Sequence, residues 1–283
     1  MSAGAAIAPA LDLLRGLAPG LLALAAVVWF DRRCRRRGLD PPGFREPARR
    51  VAGLGALALA LGVAVFLPLS RIGVDDGPVD YSAVPVWQLF FVHALLVLAL
   101  VGWWAAGHAG AAASAGGAPA DQLGLRARSI GVEIGVGLVF GVGAWFAVLA
   151  TVVLVALGLS AAGGGDLLPK EPPAAIPWLA GQPLALRLGL AASAGVVEEL
   201  FFRGLLQPRV GIAASTAMFA LAHLAYDQPF LLVGVTLLSV LYGLLVRWRQ
   251  NLWAAITAHF LFDAIQLAIV IPAVLRQFHG AAP

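Results

Sequence analysis

The sequence predicts an all-α fold, a polytopic membrane bundle of about eight transmembrane helices, and three observations carry that prediction. Of 283 residues, 60% are hydrophobic and only 12% are charged, about half the roughly 25% charge of a soluble chain. The apolar residues fall in successive runs close to the ~20 residues that span a hydrocarbon core. The arginines gather in alternate loops between those runs. A water-facing shell is thereby excluded. The net charge of +4 reads as a contact with anionic lipid and not as a nucleic-acid surface. Cys34 is the single cysteine, so no intrachain disulfide can form.

The first run, residues 7–30, ends in a basic cluster, Arg32, Arg33, Arg35, Arg36 and Arg37. With no basic segment before it, this run reads as a stop-transfer anchor and not as a secretory leader. Runs 51–69, 86–106 and 130–159 follow, so residues 1–170 are expected to hold helices 1–4 and their loops. The fourth run is long enough to tilt or to extend past the bilayer. Runs 184–206, 210–226, 230–246 and 252–275 supply helices 5–8, a core over 184–270, with 271–283 as a tail. The sixth and seventh are short. The Ala/Gly-rich stretch 107–120 reads as a flexible cytoplasmic connector.

The loops give an independent reading of sidedness. Loops 1, 3, 5 and 7, counting Arg203 near the end of span 5 with loop 5, hold fourteen of the nineteen basic residues: the Arg32 to Arg37 cluster with Arg45, Arg49 and Arg50, then Arg126 and Arg128, Arg203 and Arg209, and Arg247 and Arg249. The opposite side has Arg71, Lys170 and Arg276. The positive-inside rule therefore expects loop 31–50 in the cytoplasm of a bacterial membrane, with both termini and the acidic segment Asp75, Asp76 and Asp80 on the far side.

Inside such spans an ionisable residue marks a functional site, because burying it in lipid costs a few kcal/mol or more. These residues concentrate in the last third: Glu198, Glu199 and Arg203 in span 5, His223 in span 6, and His259 and Asp263 in span 8. Glu199 and Arg203 are i and i+4, share a helix face and are expected to form a structural pair. Glu198 sits about 100° around the helix and is left for another partner. His259 and Asp263 are again i and i+4. At 1.5 Å per residue, Glu198 lies roughly 15 Å back from Pro208 and His259 roughly 13 Å from Gln250. These groups from antiparallel helices should face one another around a hydrated cavity. His93 in span 3 is read as a hydrogen-bonding group between helices. Glu133 in span 4 is read as reaching Arg126 or the interface, and neither is assigned to the site.

Two chemistries fit this set. A carboxylate and a histidine flanking a water make it a nucleophile, with a second histidine donating to the developing oxyanion. Alternatively Glu198, His223 and His259 hold a catalytic divalent metal, zinc being the usual choice for such ligands. No serine or cysteine nucleophile lies within the motifs.

These residues also carry a resemblance. Glu198-Glu199-Leu200-Phe201-Phe202-Arg203 resembles the Glu-Glu-x-x-x-Arg motif of the CPBP family, the CaaX-protease and bacteriocin-processing (Abi/Rce1-like) intramembrane proteases. Phe219-Ala220-Leu221-Ala222-His223 resembles its Phe-x-x-x-His motif, and His259-Phe260-Leu261-Phe262-Asp263 its closing His-x-x-x-Asn/Asp motif. The resemblance spans about 184–267 and implies an eight-helix endopeptidase acting on a lipidated or membrane-inserted peptide. It makes Glu198 and His223 the activators of water, Glu199 and Arg203 the structural pair, and His259 with Asp263 the stabilisers of the oxyanion. Many members have Asn at the last position, and an ionised Asp263 would repel an oxyanion. The alternatives are a catalytically silent scaffold or immunity protein and a cation-coupled transporter. The transporter reading lacks inverted repeats or paired broken helices.

Overall fold

The structure, a computed structural model, describes residues 3–72, 74, 77, 79–108, 119–168, 172–173, 175–224 and 229–280. Most of the expected connector (109–118), Asp75, Asp76 and Lys170 lie outside the described residues.

Each expected run forms a helix. Helix α1 covers Ala3–Arg36. Helix α2, Pro47–Ala60, starts on a proline and runs on through a π-turn at Leu61–Phe66 and a tight turn at Leu67–Arg71. Proline at a first helical position loses nothing, since its missing N–H has no intrahelical partner there. Helix α3 is Phe91–His108 and α4 is Ile130–Ala161, where Ser129 caps the start by accepting from the Val132 amide. Helix α5, Leu184–Glu198, continues as a π-helix over Glu199–Leu206 and a last turn at Gln207–Val210. Gly211, at φ 93°, turns the chain into α6, Ile212–Ala222. Helix α7 is Pro229–Arg249. Helix α8, Trp253–Ile265, runs on through Gln266–Val270 and Ile271–Gly280.

The expected count of spans is corrected. Among the described residues, six helices are long and apolar enough to cross a membrane: Leu13–Arg36, Pro47–Arg71, Val86–His108, Ile130–Ala161, Leu231–Arg249 and Trp253–Arg276. The two that fall short do so for different physical reasons. Helix α5 carries Arg187, Glu198, Glu199 and Arg203, too much charge for a lipid-facing span. Helix α6 has 11 residues, about 16 Å of helix against a ~30 Å hydrocarbon core. The two helices most central to the expected site are thus the least suited to lipid.

Two apolar cores hold the bundle. Phe30, Leu57, Leu61, Leu96 and Trp103 of α1–α3 pack on Phe201, Phe202 and Leu205 of α5. Ala144 and Val148 of α4, Leu238 and Tyr242 of α7, and Ala255, Ala258 and Phe262 of α8 form the second. The outer face of α4 is left apolar and exposed, with Val139 at 77% and Leu154 at 68%, as a lipid-facing surface requires.

Loops 1, 3, 5 and 7 meet at one end. Arg37 donates to the Pro208 carbonyl, the Leu252 amide to the Gly124 carbonyl, and the Trp253 indole to the Leu125 carbonyl. A cavity of about 530 Å³ lined by Arg37, Gln122, Pro208 and Gln250 joins all four. In loop 1, Arg50 binds Asp31 and Asp40. The expectation for Glu133 is also corrected. It receives two hydrogen bonds from Arg249, at 2.9 and 2.7 Å, while Arg126 pairs with Asp121. Helices α4 and α7 are neighbours, and a bidentate guanidinium–carboxylate pair is the stronger arrangement.

Candidate active site

The placement of α8 decides the geometry. A Cβ added at Gly137 of α4 would lie 2.5 Å from the Ala254 carbonyl oxygen, and one at Gly141 3.0 Å from the Ala258 Cα. On the other side, a Cβ at Gly195 of α5 would lie 2.9 Å from the Phe260 nitrogen. Small residues at a helix interface let backbones approach closely in a membrane protein, where apolar surface alone gives no drive for association. At the start of α8 the Asn251 side chain accepts from the Trp253 amide, after Gln250 takes a left-handed turn. His259 is therefore held by backbone on two sides.

Glu199 is wholly buried, and its Oε1 is shared. Arg203 Nη1 is 3.1 Å away, the i,i+4 contact expected from spacing, and His259 Nδ1 is 2.8 Å away. The structural pair is thus a chain of three, Arg203–Glu199–His259. Arg203, 1% exposed, also donates to the Ser239 carbonyl at 3.3 Å and lies over the Phe219 ring, 4.4 Å from its centroid. A cation buried in this way is compensated by a carboxylate, a carbonyl and an aromatic face. The π-helical segment leaves an irregular ladder, and side chains help to satisfy it. Ser215 donates to the Phe202 carbonyl and Arg209 to the Leu205 carbonyl, both at 2.7 Å. Such π-turns occur frequently at functional sites.

His259 Nε2 lies 3.5 Å from Asp263 Oδ2, too long for a strong hydrogen bond. The buried Tyr242 ring packs against the imidazole at 5.3 Å, and its hydroxyl reaches the Ala258 carbonyl at 3.4 Å. His223 ends α6, and its Nδ1–H donates to the Phe219 carbonyl at 2.8 Å. A neutral ring held this way carries its lone pair on Nε2. His223 and His259 both lie close enough to Glu198 to act on its charge.

Glu198 finds its direct partner outside the expected set. Its Oε1 accepts from His93 Nε2 at 3.2 Å, and His93 Nδ1 in turn meets Ser193 Oγ at 2.8 Å. Sequence reasoning left His93 as a hydrogen-bonding group between helices and did not consider Ser193. The available signal was the rule already applied to the last third, that an ionisable group within an apolar span is functional by default. The other carboxylate oxygen, Glu198 Oε2, is buried with no hydrogen-bond partner among the described residues.

The expected metal ligands make other contacts in the described structure. Glu198 turns toward His93, His259 presents its nitrogens to Glu199 and Asp263, and His223 commits Nδ1 to a carbonyl. Among the described residues no three His, Cys, Asp or Glu are grouped to hold an ion. The arrangement suits acid–base chemistry on a water: a buried carboxylate with one open oxygen, flanked by histidines from separate helices.

Comparison with known proteins bears on the same helices. Residues 180–265 match the family described as type II CAAX prenyl endopeptidase Rce1-like. A relative, the uncharacterized protein YpbD of Bacillus subtilis (strain 168), is 42% identical over 69 residues, which cover 24% of this chain and 36% of that protein. The match thus spans about a third of the relative's length. No solved structure matches the chain. With six helices long and apolar enough to cross a membrane among the described residues, the protein is integral to a membrane. Its segment 180–265, which carries every residue of the expected site, is similar to the Rce1-like family.

Proposed function

We propose that this protein is an intramembrane endopeptidase, CAAX-protease-like, that hydrolyses a peptide bond in a lipidated or membrane-inserted substrate with a water activated by Glu198. One observation carries the reading: a buried carboxylate has Oε1 held by a histidine and Oε2 without a hydrogen-bond partner among the described residues, with His223 and His259 close by. The family match of the same segment supports it. Glu198 Oε2 takes a proton from water as the water oxygen attacks the scissile carbonyl carbon. His223 Nε2 accepts the second water hydrogen and fixes the direction of attack. The carbonyl oxygen, now an oxyanion, faces His259, which as an imidazolium donates Nδ1–H to Glu199 and keeps an Nε2–H whose long 3.5 Å contact with Asp263 leaves it able to turn to the new charge. As the C–N bond breaks, Glu198 returns its proton to the departing amine. Glu199 and Arg203 hold His259 in place. Asp263, where many family members have Asn, acts by orienting the ring and not as an oxyanion donor. The Arg-rich end faces the cytoplasm.

The test is hydrolysis of a panel of prenylated and transmembrane peptides by the purified protein in liposomes. Glu198→Gln should lower the rate by about 10³-fold with the fold intact. A chelator should leave the wild-type rate unchanged. Wild-type cleavage by Glu198→Gln refutes the base assignment, and chelator-sensitive cleavage restored by zinc refutes the metal-free mechanism. A wild type inert to the whole panel favours the silent scaffold.

A further inference from the structure

His93 stands on α3, outside the family-matched segment, yet it makes the only hydrogen bond the described structure gives to the Glu198 side chain. It is 8% exposed and bridges two residues of α5, Ser193 and Glu198, five positions apart. The polarity of the chain follows from its ends. The carboxylate can only accept, so His93 Nε2–H donates to Glu198 Oε1; Nδ1 of a neutral ring then accepts from the Ser193 hydroxyl. Around the same carboxylate stand His223 from α6, His259 and Asp263 from α8, and Glu199 on its own helix.

We infer that His93, fixed by Ser193, is a positioning residue for Glu198. It occupies Oε1 and so presents Oε2 to the water, which makes the N-terminal helices part of the catalytic unit. The inference rests on the reading of Glu198 as general base. A carboxylate held by one directed donor keeps a single orientation. Without the donor it can rotate, and a displacement of about 1 Å at a reacting group costs on the order of 100-fold in rate.

The experiment uses the full-length protein in the liposome assay above, with His93→Phe, His93→Gln, Ser193→Ala and Glu198→Gln, measuring kcat, KM and Tm for each. Phenylalanine fills the space of the ring without a donor. His93→Phe is expected to lower kcat by about 10- to 100-fold with KM within about twofold. Glutamine keeps an N–H donor on a flexible stem, and His93→Gln should recover kcat to within about fivefold of wild type. Ser193→Ala, a small excision that cannot disturb the fold much, should lower kcat by about three- to tenfold. The inference is overturned if Glu198→Gln is inactive while His93→Phe and Ser193→Ala keep wild-type kcat, or if His93→Gln and His93→Phe lose activity equally. Should His93→Phe fail to fold, Ser193→Ala decides alone: unchanged kcat overturns, reduced kcat at unchanged KM supports. An active Glu198→Gln would instead sink the general-base reading itself, so the two failures are distinguishable.

Discussion

Replacing Arg203 with alanine strips the counter-charge from a carboxylate that has no exposure to solvent. Arg203 is 1% exposed and Glu199 0%, and their 3.1 Å contact lies where water cannot substitute for a lost partner. Breaking a buried pair by removing one member costs about 3–5 kcal/mol. His259 Nδ1 remains 2.8 Å from the same oxygen, which places the expected loss at the lower end, about 3 kcal/mol. The contact of the guanidinium with the Phe219 face adds a smaller part, about 0.5–2 kcal/mol. At about 2–4 °C per kcal/mol for a chain of this size, Tm in detergent should fall by roughly 7–20 °C. The double replacement Arg203→Met with Glu199→Gln removes both charges and should return most of that loss, since apolar or neutral substitutes for a buried pair are often close to neutral. A single Arg203→Ala variant melting within about 2 °C of wild type would refute the buried pair as a source of stability.

Two further outcomes follow from the site's supports. Gly137→Leu drives a side chain into the Ala254 carbonyl and Thr257, costing at least about 1–3 kcal/mol and lowering both Tm and cleavage. Gly135→Leu, where nothing lies within 4 Å, should leave both unchanged; equal effects at the two positions would deny the seam its role. Asp263→Asn should keep kcat/KM within about threefold, and Asp263→Ala should lose about tenfold as His259 loses its orienting partner. Inactivation by Asp263→Asn as deep as that by Glu198→Gln would instead assign Asp263 a proton-transfer role.

Spacing made part of the site legible. Glu199 with Arg203 and His259 with Asp263 are helix-face neighbours, and a helix guarantees their proximity wherever it packs. The bond from Glu199 to His259 joins residues 60 apart in sequence, and that from His93 to Glu198 joins residues 105 apart. No local periodicity encodes either, because they depend on which helices become neighbours. Glu133 shows the same limit: Arg126 was the nearer cation along the chain, Arg249 the nearer one across the bundle. The helices themselves were legible from apolar run length. The number able to face lipid was less so: the charge of α5 stood in the sequence, but the apolar run 210–226 did not show that its helix stops at Ala222.

The glycine seam between α4 and α8 couples the candidate site to the lipid. Helix α4 has 32 residues, about 48 Å of helix for a ~30 Å hydrocarbon layer, and such excess length is taken up largely by tilt. Where two helices touch through long side chains, rotamer changes can absorb a few degrees of tilt. At Gly137 and Gly141 the nearest atoms of α8 are backbone, the Ala254 carbonyl oxygen and the Ala258 Cα, which have no rotamers to yield. A thinner or thicker bilayer that re-angles α4 therefore carries α8, and His259 with it, so membrane thickness becomes an input to the alignment of the histidine with Glu198.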